Sequence, residues 1–141
     1  MNYTNKTLLE LSNIYLNNTV QGWYNATSQK YESHRNGYTF NQNVNVSQKW
    51  GYYAYFNATT TVPVNITANP TVTLLSGWNL VGNFDSVAKT LSTLKNSIGV
   101  NATQAQYYNR STQAWVTDDS TSVPVGEAFF VYVTANTQWG G

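Results

Sequence analysis

Hydrophobic and polar positions alternate most clearly in the second half of the chain. Gly126 to Thr134 reads as a strand apolar on both faces, with Ala128, Phe130 and Tyr132 on one and Phe129, Val131 and Val133 on the other. Such a strand belongs at the centre of a sheet covered on both sides. Leu80 and Val81, within Gly77-Trp78-Asn79-Leu80-Val81-Gly82, form a short strand bounded by glycines. Val87, Leu91, Leu94 and Ile98 recur at helical spacing. The pattern predicts a helix capped by Asp85 or Ser86 and ended by Gly99. Gln106–Tyr108 and Gln113–Thr117 flank turn residues Asn109–Thr112 and predict a hairpin.

The same order occurs earlier. Thr7-Leu8-Leu9-Glu10-Leu11 precedes Trp23-Tyr24-Asn25-Ala26-Thr27-Ser28-Gln29-Lys30-Tyr31, as Thr90-Leu91-Ser92-Thr93-Leu94 precedes Tyr107-Tyr108-Asn109-Arg110-Ser111-Thr112-Gln113-Ala114-Trp115. A Gly-led aromatic run follows each: Gly51 to Phe56, then Gly126 to Val131. The first copy predicts a helix with Leu8, Leu11 and Tyr15 on one face, a hairpin around Asn25 and a strand from Gly51 to Phe56. Val62 to Thr67 reads as a further strand, placed at an edge by Pro63. Asn69-Pro70 marks the junction. The expected fold is mainly β, a sandwich or barrel-like arrangement with two short helices. It is one domain, 1–141, made of two helix–hairpin–strand repeats, about 1–68 and 71–141, related by a pseudo-twofold. Nothing like Gly77–Gly82 precedes Thr7, so the first copy lacks a leading strand. An edge left open there would accept a strand from another chain.

Composition changes the picture in two ways. Charged residues make up only 9% of the chain, and polarity comes from Asn, Thr, Ser, Gln and Tyr. The net charge of +1, with seven scattered Lys and Arg, excludes a nucleic-acid footprint, which needs clustered cations. There is no cysteine, and no apolar run approaches the length of a membrane span. Met1 to Lys6 lacks the apolar stretch of a signal peptide. That fits a signal already removed, an excised piece of a longer protein, or particle assembly inside a cell.

The second change is the sequon count. Asn-x-Ser/Thr occurs nine times, at Asn2, Asn5, Asn17, Asn25, Asn45, Asn57, Asn65, Asn101 and Asn109. The 19 Asn and 30 Ser plus Thr would give about 4 by chance placement. Each can carry a solubilising N-glycan. An Asn- and Thr-rich composition also generates sequons by accident, but accident does not place Asn25 and Asn109 on equivalent hairpin turns.

Catalytic chemistry is thin. The single His34 lies in the polar stretch Glu32 to Gly37, read as a surface loop, and no Gly-x-Ser-x-Gly elbow accompanies it. One His and no Cys cannot build a zinc site. The carboxylates are Glu10, Glu32, Asp85, Asp118, Asp119 and Glu127. Asp118-Asp119 with Glu127 could form an acid pair or a calcium site. Alternatively they are a turn and a strand-edge charge. No catalytic residue, metal ligand or cofactor is assigned. Aromatic side chains can stack on sugars or meet a partner, and the candidates are Trp23, Tyr24, Tyr31, Trp50, Tyr107, Tyr108 and Trp115. Core packing is the competing role for each. Trp139, near the C-terminus, is expected to be exposed or to touch a partner.

Gly77-Trp78-Asn79-Leu80-Val81-Gly82, the helix, Tyr107-Tyr108 to Trp115 and Gly126 to Val133 together resemble a recurring "GWNL" module of secreted and cell-surface proteins of archaea and some bacteria. The resemblance covers roughly 71–134, and the first copy matches only its later parts. It implies a non-catalytic extracellular module, and the Tyr-, Asn- and Thr-rich style resembles surface and virus proteins of thermoacidophilic archaea. The expected function is a glycosylated structural or interaction module of an archaeal cell envelope or virion surface. Its partners would be other copies of itself or envelope and virion proteins, with no membrane span of its own. The alternatives are a carbohydrate-binding or adhesin module and an accessory domain of a secreted hydrolase. A surface of uncharged hydroxyls and amides stays polar in acid. The melting temperature should therefore change little between about pH 3 and pH 7, and thermal melts showing collapse at the lower pH would refute this.

Overall fold

Strand alternation at Ala128–Val133 organises the molecule, because neighbouring side chains there must face opposite layers. The computed structural model describes residues 7, 10, 18–35, 51–56, 58 and 71–140. They form β1 (Asn18–Asn25), β2 (Lys30–Arg35), β3 (Tyr52–Phe56), β4 (Val72–Leu74), β5 (Gly77–Gly82), β6 (Lys89–Thr90), α1 (Leu91–Ile98), β7 (Ala102–Asn109), β8 (Ala114–Val116), β9 (Ser122–Val123), β10 (Ala128–Val133) and β11 (Thr137–Trp139). The fold is mainly β, with one α-helix among the described residues. Its strands form antiparallel sheets ordered β2-β1-β3, β5-β10-β7-β8, β4-β11 and β6-β9. As expected, β10 is central, paired to β5 on one side and β7 on the other.

One face of β10 builds the core. Phe129, Val131 and Val133 are 0% exposed and pack with Leu91, Leu94 and Ile98 of α1. Val72, Leu74 and Trp139 of the β4-β11 pair complete that layer. Trp139 therefore departs from the expected exposure. It is 4% exposed, its ring meets Phe129 edge-on at 6.1 Å, and its indole N–H donates to Ser97 Oγ at 3.2 Å. A terminal position says nothing about a ring whose strand pairs back with Val72. Asn79 is also wholly buried, and its amide closes the β4–β5 bend. Nδ2 donates to the carbonyls of Leu75 and Gly77 at 2.8 and 3.0 Å, and Oδ1 accepts from Leu75 N at 3.0 Å. Burying an amide is costly unless it is satisfied in this way.

The helix begins later than the apolar spacing predicts. Lys89 and Thr90 are extended, paired with Val123 and Ser122, so the helix cannot start at Asp85. Thr90 is the N-cap, its Oγ1 accepting from Thr93 N at 3.2 Å. Val87 is 55% exposed and Asp85 instead pairs with Lys89 at 3.2 Å. Gly99 ends the helix as expected, at φ 107 with its N–H on the Lys95 carbonyl at 3.1 Å.

In the first half, the hairpin lies at β1–β2 and the Gly-led strand at β3. His34 lies in strand β2, opposite Gln21, rather than in a loop. The expected helix on Leu8, Leu11 and Tyr15, the strand Val62–Thr67 and the Asn69-Pro70 junction fall outside the described residues. Thr7 and Glu10 form a reciprocal capping box. Thr7 N donates to Glu10 Oε2 at 2.6 Å, and Glu10 N donates to Thr7 Oγ1 at 3.2 Å. β3 stands at the margin of its sheet among the described residues, where Tyr52 and Phe56 are engaged by further contacts.

The two halves meet at β5 and at the other face of β10. Phe130, 3% exposed, receives Tyr24 edge-on at 4.9 Å and Tyr31 at 5.9 Å from the first half. The Gln29 side chain grips the outer margin of β5. Trp78 N donates to Gln29 Oε1 at 2.9 Å, and Gln29 Nε2 donates back to Trp78 O at 3.1 Å. Gly51 N donates to Leu80 O at 2.8 Å. A Cβ on Gly51 would stand 2.4 Å from Leu80 Cγ, so only glycine permits that approach. The β5 margin is thus closed within the chain. Gln113 sits at the matching turn position of the second hairpin and grips no strand among the described residues. Gln29→Ala should cost about 1 kcal/mol more than Gln113→Ala, because it strips two backbone groups of their partner. Urea denaturation of the two variants measures the difference, and equal costs would refute the grip.

Candidate functional site

Each hairpin turn is held by an asparagine and a glutamine. Asn25 Oδ1 accepts from Thr27 N and Ser28 N at 3.0 and 3.3 Å; Asn109 Oδ1 accepts from Ser111 N and Thr112 N at 2.9 and 3.3 Å. Short amide side chains make this turn because they satisfy the backbone two residues on. Gln29 and Gln113 both sit at φ 53, the left-handed region. Their Nε2 groups donate to Ala26 O at 2.6 Å and Arg110 O at 2.7 Å. Their Oε1 atoms accept from the hydroxyls of Tyr24 at 3.2 Å and Tyr108 at 3.1 Å. The two turns share these bonds, while only in the first do Asn25 Nδ2 and Ser28 Oγ also reach a carboxylate, that of Glu32, among the described residues.

Aromatic residues flank both hairpins on the face that meets Phe130. Tyr24 and Tyr31 are cross-strand partners, edge-on at 5.3 Å; Tyr108 and Trp115 match them at 5.1 Å. Tyr53 of β3 lies against Tyr31 at 6.0 Å, as Phe130 of β10 lies against Trp115 at 5.5 Å. Tyr53 stands opposite Gly22, and Phe130 opposite Gln106.

The outcome is a ring-lined surface centred on Phe130. Tyr31 is 53% exposed, Tyr53 38%, Tyr55 63% and Trp115 47%, enough for a ligand or partner to reach them. Burial raises the Tyr24, Tyr31 and Tyr53 phenols above the usual tyrosine value, with neighbouring Tyr24 and Tyr53 adding to the effect at Tyr31. At neutral pH these three phenols are uncharged hydrogen-bond donors.

Among the aromatic candidates, Tyr24, Tyr31, Tyr108 and Trp115 come together here. Trp23 is half-buried on the opposite face of β1. Tyr107 and Trp139 are core residues at 7% and 4% exposure, and Trp50 lies outside the described residues. The sequence reading missed Gln29, Trp78, Tyr53 and Tyr55. Period-two alternation through Gly51–Phe56 puts Tyr53 and Tyr55 on one face and could have found them. Nothing in the sequence marks Gln29.

Of the sequons, Asn2, Asn5, Asn17, Asn45, Asn57 and Asn65 fall outside the described residues. Asn25, Asn101 and Asn109 are half-buried. Asn101 Nδ2 donates to Thr137 Oγ1 at 3.0 Å, and Asn25 Nδ2 donates to Glu32 Oε1 at 2.5 Å.

The carboxylates hold local structure. Asp118 accepts from Ser120 N and Oγ at 2.9 and 2.8 Å, which holds its carboxyl below the usual range. Asp119 pairs with Lys95 at 2.6 Å. Glu127 is bound by Arg110 and by the Tyr107 hydroxyl. Asp118, Asp119 and Glu127 are thus each engaged locally. Among the described residues, no helix is long and apolar enough to cross a membrane. No family model, no curated protein sequence and no solved structure matches the chain.

Burial, then the Glu127 carboxylate, push the Tyr107 phenol up to about 12. A folded pKa above the unfolded value means the folded state holds the proton longer. The associated stability is complete below about pH 10 and is lost as pH rises toward 12. Ultraviolet titration should show Tyr107 among the last phenols to ionise, and Tyr107→Phe should reduce the late step by one phenol. A late step of unchanged amplitude after the substitution would refute the assignment.

Proposed function

We propose that the chain is a non-catalytic, glycosylated structural or interaction module displayed outside a cell, on an archaeal envelope or a virion surface. The observation that carries this reading is the pair of sequon turns, Asn25 and Asn109, built with the same hydrogen bonds at the ends of two matching hairpins. A turn kept alike in both hairpins, with a Ser or Thr two residues after each Asn, is a feature that random composition does not produce. The "GWNL" resemblance and the low charge support the outer-surface setting.

The molecule on this reading is a duplication of one helix–hairpin–strand unit, about 1–68 and 71–141, joined in a sandwich-like arrangement. Three correspondences support it: the hairpins, the register of β1–β3 with β7–β10, and the Thr hydroxyls of Thr7 and Thr90 that accept from Glu10 N and Thr93 N. Docking to neighbouring copies by strand addition belongs to the same proposal. The halves have separate tasks. Both turns lie outward at 27–30 and 110–115, and among the described residues only the first also grips β5, through Gln29.

A second reading is favoured by the exposed rings of Tyr31, Tyr55 and Trp115. They suit a module that binds sugars by stacking.

Intact mass spectrometry of natively produced protein tests the first reading. The expected result is added hexose or N-acetylhexosamine mass, mapped by peptide analysis to Asn25 or Asn109 among other sequons. Protein bearing no sugar would overturn it. Micromolar glycan-array binding lost on Trp115→Ala would transfer the assignment to the second reading.

A further inference from the structure

The indole of Trp23 stands apart from the other described tryptophans. Trp78 packs edge-on against Phe130 and Tyr132, Trp115 against Tyr108 and Phe130, and Trp139 against Phe129. Trp23 is half-buried, yet among the described residues its ring pairs with no other ring and its N–H has no acceptor. Its N–H is not among the buried unpaired polar atoms and is therefore open for an incoming acceptor. Trp23 also precedes the sequon Asn25 by two residues in β1. Residues i and i+2 of a strand share a face and are about 6.6 Å apart.

Asn25 is held for use. Its Oδ1 takes Thr27 N and Ser28 N, and one Nδ2 hydrogen goes to Glu32, which stands directly across the strand from Trp23. The second Nδ2 hydrogen has no partner among the described residues. The carboxamide is therefore fixed on the Trp23 face with one N–H position open to substitution.

We propose that the first sugar of an N-glycan on Asn25 lies on the face of the Trp23 indole, so that Trp23 is a sugar-binding residue acting within its own chain. The attachment uses an activated lipid-phosphate glycosyl donor. Nδ2 forms a bond to the anomeric carbon, the bond from that carbon to the phosphate oxygen breaks, and Nδ2 gives up one proton. The remaining N–H keeps the Glu32 bond. The C–H groups on one side of a pyranose cover the indole, and the sugar hydroxyls offer an acceptor for the indole N–H. The other two described sequons lack this arrangement. The ring two residues before Asn109 is Tyr107, buried and bound to Glu127, and the residue two before Asn101 is Gly99, which carries no ring.

This inference rests on the glycosylated reading above, and the experiment separates the two. The full chain is secreted from a host that adds N-glycans, and occupancy of Asn25 is read by peptide mass spectrometry. Glycosylated and Asn25→Gln protein are then compared in the wild-type and Trp23→Leu backgrounds. Loss of the sugar should lower the melting temperature by on the order of 3 °C with Trp23 present, and by much less with Trp23→Leu. Proton spectra of the glycoprotein should show ring-current-shifted sugar C–H signals that vanish in Trp23→Leu. An empty Asn25 in a host that fills other sequons overturns this inference while leaving the glycosylated reading standing. An occupied Asn25 with unshifted sugar signals, or equal melting losses in both backgrounds, overturns it as well. A chain without sugar at any site overturns both.

Discussion

Two neighbouring phenylalanines on one central strand hold the molecule together. Extended backbone turns successive side chains to opposite sides, so Phe129 and Phe130 must serve different layers. Phe129 enters the core beneath α1, wholly buried with Val131 and Val133. Phe130 faces the other way and is the ring on which Tyr24 and Tyr31 of the first half rest. A slip of one residue in β10 would exchange the two environments and undo both at once. That register is fixed by pairing on two sides, with β5 and with β7.

The hairpins show how similar parts acquire separate work. Both use an Asn to fold the turn and a Gln at positive φ to brace a tyrosine hydroxyl. Only Gln29 goes further and occupies the N–H and C=O of Trp78. The space for it exists because Gly77 lacks a Cβ, which would stand within 2.8 Å of that amide. The tight approach, the positive φ of Gly77 and the closing of β5 are one arrangement.

Much of this was legible in the residues. The two-faced apolar run from Ala128, both hairpins and the stop at Gly99 follow from period and turn chemistry. What misled was apolar spacing that continues past a true boundary. Val87 falls on the helical period of Leu91, yet Lys89 and Thr90 are taken by β9 and leave it outside the helix. Long-range pairing of that kind has no local signature. The same holds for Trp139, whose burial depends on β4, and for Gln29, whose partner lies 49 residues away. The ring surface was half visible. Tyr24, Tyr31, Tyr108 and Trp115 stood out by their hairpins, while Tyr107 belongs to the opposite, buried face of the same strand.

The join between the halves has a consequence for the surroundings the protein tolerates. Among the described residues, rings, one carboxamide and backbone groups make it, and the ion pairs Asp85–Lys89, Lys95–Asp119 and Arg110–Glu127 lie within the second half. Dissolved ions weaken attraction between exposed charges and leave neutral contacts of this sort nearly untouched. A seam of that composition would hold in brine as firmly as in fresh water.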